Sequence, residues 1–78
     1  ESEIQRYQKA AERDRKIIRL RREVTESARS KLENGVITSS DYLSELNQLT
    51  KARITQERHK IALQKARISY LFTKGIIQ

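Results

Sequence analysis

The sequence predicts an all-α protein, a long antiparallel coiled-coil hairpin of two helices, filling one domain over residues 1–78. Three observations carry that prediction: proline is absent, two glycines stand where helices would stop, and isoleucines recur at every seventh position. The first helix is expected over about residues 2–33. It is rich in Ala, Leu, Arg, Lys, Glu and Gln, the good helix formers, and lacks the two-residue alternation of a strand. Ile4, Ala11 and Ile18 recur at intervals of seven and are continued by Thr25 and Leu32, while Ala10, Ile17 and Val24 form a second row.

A turn is expected over residues 34–38. Asn34 and Gly35 both tolerate the left-handed backbone in which many helices end. Val36, Ile37 and Thr38 contain β-branched side chains, but three residues cannot build a sheet. Thr38 suits an N-cap and Asp41 brings a carboxylate into the first turn, where the helix dipole favours it, although Ser39 and Ser40 compete as caps. The second helix is expected over about residues 39–74, ending near Gly75. At 1.5 Å per residue each helix would be roughly 50 Å long, too long for a compact globule of this size.

Residues facing each other across an antiparallel pair have a constant index sum. Ile4 with Ile68, Ala11 with Ile61, and Ile18 with Ile54 each sum to 72, and half of 72 falls in the expected turn. These six residues are therefore the expected hairpin seam. Tyr42, Leu46, Leu49, Leu63, Ala66 and Tyr70 form another apolar face on the second helix. One seam cannot use both faces, so this second one is expected to pack against further helices, from a longer chain or from other copies.

Composition narrows the function. The chain has 17 basic and 10 acidic residues, a net charge of +7, and only 36% apolar residues, which leaves too little material for an enclosed enzyme pocket. No enzyme activity and no cofactor are expected. Cysteine is absent and His59 is the single histidine, so no metal cluster can form within these residues, and His59 is read as a surface or interface residue. No stretch approaches the ~20 apolar residues that span a bilayer. Residues 13–22 hold six Lys or Arg and residues 51–67 hold six more. In the first stretch they encircle the helix, which suits solvation better than a phosphate-binding stripe, and nucleic acid is not the expected partner. A basic coiled coil that binds nucleic acid or an anionic surface is the alternative reading.

One segment adds a resemblance. The run LENGVITSSDYLSELNQLTKARITQERHKIALQKARISYLFTKG, Leu32 to Gly75, resembles the helical hairpins of the outer-membrane efflux protein family, the TolC-like channels of Gram-negative bacteria. Gly35 matches that family's turn glycine, Asp41 its first-turn aspartate, Leu43 and Leu49 the leucines that follow, and Gly75 its closing glycine. Ala52, Ala66, Tyr70 and Leu71 fit the remaining pattern loosely. Ser44 stands where some members carry a second acidic residue, and Arg53 and Arg58 make the second helix more basic than the family pattern.

The resemblance implies a trimeric channel whose membrane β-barrel continues into a periplasmic tunnel of antiparallel helix pairs. This chain would be one periplasmic hairpin of such a longer outer-membrane protein. Asn34, Gly35, Val36 and Ile37 would form the tip that docks a membrane-fusion adaptor, which connects the channel to an inner-membrane pump. Asp41 would lie near the constriction of the tunnel.

Overall fold

The computed structural model describes residues 2–76 and shows a helical hairpin. Helix α1 spans Glu3–Glu33 and helix α2 spans Ser39–Leu71, packed antiparallel against each other, with no strand among the described residues. The molecule measures 65 × 17 × 13 Å with a radius of gyration of 18.2 Å. A globular chain of this length would have a radius of about 11–12 Å, so this is a rod.

Each helix begins with a reciprocal cap. At the start of α1 the Ser2 hydroxyl accepts from the Gln5 amide (3.1 Å) and the Gln5 side-chain oxygen accepts from the Ser2 amide (3.0 Å). Thr38 and Asp41 repeat this arrangement at α2, so Thr38 is the N-cap and the Asp41 carboxylate, expected only to suit the helix dipole, also accepts from the Thr38 amide. Two of the otherwise orphaned amides are thereby satisfied at each start. The far end of α2 departs from expectation. Its α-helical part stops at Leu71, and the chain winds one wider turn, Phe72–Ile76, in which Gly75 takes φ +98°. That conformation suits glycine because there is no Cβ to collide with the carbonyl.

The seam runs along Ala10, Asp14, Thr25 and Ala28 of α1 and Leu49 and Ala66 of α2, all buried. Half-buried Ile4, Ala11, Ile18, Leu32, Leu46, Ala52 and Leu63 line its edges. The expected isoleucine seam is therefore half corrected. Ile4, Ala11 and Ile18 lie along the interface, but Ile54, Ile61 and Ile68 are 47%, 52% and 54% exposed and lie on the outer side of α2. The face that was expected to await a neighbour supplies the inner side instead, through Tyr42, Leu46, Leu49, Leu63 and Ala66, while Tyr70 stands exposed near the open end.

The inner face gives its polar residue a partner, because it sets His59 opposite the buried Asp14. The isoleucine row is interrupted by Glu57, Arg58, Gln64 and Lys65, whose charged and polar groups would lose water in the seam. The register survives the change of face. Asp14 meets His59 and Thr25 meets Glu45, contacts with index sums of 73 and 70 that bracket the expected 72.

Candidate functional site

The candidate site is the tip, residues 34–38, with the first turn of α2. Helix α1 ends at Asn34, whose amide donates to Ser30 O (3.0 Å). Gly35 then takes φ +71°. Its amide donates to Leu32 O (3.0 Å), and the Val36 amide donates to Lys31 O (2.8 Å). These two crossed bonds are the Schellman closure, which satisfies carbonyls that would otherwise lack partners. That closure is often accompanied by an apolar contact between the residue after the glycine and the last helical turn. Here the turn presents Ser30 and Lys31 instead, so Val36 finds no apolar neighbour there and is 69% exposed.

Ile37 turns the other way and is half-buried. It lines a shallow groove of about 300 Å³ together with Val24, Ala28, Asp41 and Ser44. Thr38 is extended (φ −87°, ψ 164°), and its hydroxyl accepts from the Asp41 amide at 3.2 Å. The Asp41 carboxylate accepts from the Thr38 amide at 3.1 Å. Asp41, expected at a channel constriction, therefore works locally as the second half of the cap.

An exposed ion group stands behind the tip. There Glu26 accepts from Arg29 at 2.9 Å, and Glu33 lies 3.7 Å from the same guanidinium. The hydrogen bond to Glu26, with the charges of Glu26 and Glu33, holds the Arg29 pKa above its ordinary value. All three side chains are exposed, so the group shapes the surface more than it stabilises the fold.

A second polar feature lies farther along the rod, and sequence reasoning missed it. The His59 Nδ1–H donates to the Asp14 carboxylate at 2.6 Å across the seam. The Asp14 side chain is 7% exposed and that of His59 33%. His59 is thus an interface residue, with a partner that could have been found by applying the index sum to polar residues as well as to isoleucines. Thr25 is buried too, and its hydroxyl donates to Arg21 O at 2.7 Å, one turn back on its own helix.

The tip presents apolar, amide and hydroxyl groups, with the Asp41 carboxylate engaged by the Thr38 amide. Among the described residues no group of three His, Cys, Asp or Glu side chains is placed to hold a metal ion. No helix among them is long and apolar enough to cross a membrane. Compared with protein-family models, with curated proteins and with solved structures, the chain matches none.

Proposed function

We propose that this chain is a wall-and-tip segment of a helical export channel, in which the paired rods form part of the periplasmic tunnel and the turn docks a membrane-fusion adaptor. The observation that carries the reading is the tip itself. A capped and hydrogen-bonded reversal presents Val36 to solvent at the end of a rod 65 Å long. An aliphatic side chain displayed by a turn closed by its own hydrogen bonds needs less ordering to enter a partner's groove, which lowers the entropic cost of docking. One tip offers little area, so useful affinity would come from several equivalent tips engaging together. Apolar rows on two sides of α2, one used inside the hairpin and one facing outward, suit a wall built from neighbouring hairpins.

The test exploits the absence of cysteine from these residues. In the parent channel, Val36→Cys at the tip and Leu20→Cys on the exposed flank of α1 would be treated with a short thiol-to-amine cross-linker in cells that express the pump and adaptor. Cross-linking of the adaptor from position 36 and not from position 20 is the expected result. Equal capture from both positions, or none from position 36, overturns the docking assignment.

A further inference from the structure

The outer face of α2, whose apolar row the wall-and-tip reading leaves to a neighbouring hairpin, also carries a charge pattern that this reading does not require. The inference drawn from the two names the chemistry of what covers that face. Ile54, Ile61 and Ile68 form a narrow apolar row, each about half exposed, and Leu43 extends it towards the tip with 54% of its surface exposed. Lys51, Arg58 and Lys65 stand along one edge; on the other Thr50, Glu57 and Gln64 come first and Arg53, Lys60 and Arg67 beyond them, all exposed. Of the six cations only Lys60 is paired, with Glu57 at 3.3 Å; the other five make no ion pair with a carboxylate of the described residues.

We infer that this face docks an amphipathic helix whose own apolar row is flanked by aspartate and glutamate. The width of the stripe selects a helix. Between successive isoleucines the surface carries Glu57 and Arg58, then Gln64 and Lys65, so the apolar surface is a seam and not the broad face that sinks into lipid. The sign of the flanks selects the partner's charge. In a two-helix seam the residues beside the apolar row on one helix meet those beside the row on the other, and opposite charges there decide which helices pair. A second copy docked through the same face would set cations against cations whether it ran parallel or antiparallel. An acidic helix converts the same six side chains from repulsive to attractive, and their long stems cover the isoleucines as it seats.

The probe is a synthetic helix of the length of α2, with leucine in the apolar row and glutamate at every flanking position. Controls are the same peptide with lysine at the flanks, phosphatidylglycerol vesicles, and a short DNA duplex. Binding to the 78-residue chain is followed by fluorescence anisotropy at low and high salt. The acidic peptide is expected to bind at micromolar concentration or better, and more weakly at high salt. A triple variant, Ile54→Ser, Ile61→Ser and Ile68→Ser, is expected to bind at least about tenfold more weakly, a loss of about 1.4 kcal/mol. The variant keeps every charge and leaves the seam intact, and circular dichroism checks its helicity.

Four results would overturn the inference. These are no binding of the acidic peptide, equal binding by the lysine peptide, undiminished binding by the triple variant, and association of the chain with itself through the isoleucine row. Binding to vesicles or DNA that exceeds binding to the acidic peptide would reassign the face to an anionic surface. Failure here leaves the cross-linking test at Val36 untouched, and failure of that test leaves this one untouched.

Discussion

Replacing Gly35 by alanine isolates the backbone contribution of the tip. A Cβ built on Gly35 meets nothing within 4 Å, so no clash enters the balance. What remains is φ +71°, a left-handed conformation that costs a residue bearing a Cβ about 1–2 kcal/mol. Against this, alanine has fewer conformations to lose on folding, which returns about 0.4–1 kcal/mol. The expected net loss is about 1 kcal/mol, corresponding to a drop in Tm of about 4–8 °C for a chain of this size. Asparagine tolerates the left-handed region and is expected to cost less than alanine, whereas β-branched valine should cost more. The assay is urea and thermal unfolding of all four proteins by circular dichroism at fixed concentration. Stability in the order Gly, Asn, Ala, Val supports the argument. An alanine variant as stable as the parent, or a valine variant no worse than alanine, would refute it, because either result means the reversal does not use the left-handed conformation.

Two further predictions test the seam. Leu49→Ala, at a site 6% exposed, is expected to cost about 2 kcal/mol in urea unfolding, whereas Ile61→Ala, at a site 52% exposed, should change stability by less than about 0.5 kcal/mol because alanine's better helix propensity offsets the small area lost. The reverse order would restore the isoleucine seam. A double-mutant cycle on Asp14→Ala and His59→Ala should give a coupling energy of about 1–3 kcal/mol, and a value near zero would mean that the 2.6 Å contact contributes nothing to pairing.

The turn was legible because its physics is local. Asn34 and Gly35 allow the left-handed step, and Thr38 with Asp41 encodes the next cap within four residues. Register was legible too, since an antiparallel pair is fixed once the turn is placed. Which face of α2 turns inward was not. Both faces carry apolar residues at helical spacing, and periodicity reports that residues share a side without saying which side is buried. What decides it is met only in the fold, where the inner face sets His59 opposite Asp14 and the outer face keeps Glu57, Arg58, Gln64 and Lys65 in water. Asp14 escaped notice for a related reason: one carboxylate among many charges acquires a role only when the hairpin sets it opposite His59.

The composition of the seam links the stability of the rod to its use. Three of the four buried apolar residues are alanines, which let the helices approach closely but withdraw little surface from water. Leu49, helped by half-buried leucines and the Asp14–His59 bond, supplies much of the attraction between α1 and α2. Meanwhile three isoleucines and Leu43 lie outside, about half exposed. A hairpin that leaves these side chains on its outer face gains stability from whatever covers that face, in proportion to the logarithm of ligand concentration over Kd. Unfolding of the chain titrated with the acidic helix therefore reads docking and stability in one measurement. The midpoint should rise with peptide for the parent and rise much less for the triple serine variant, which keeps only Leu43 of the outer apolar row.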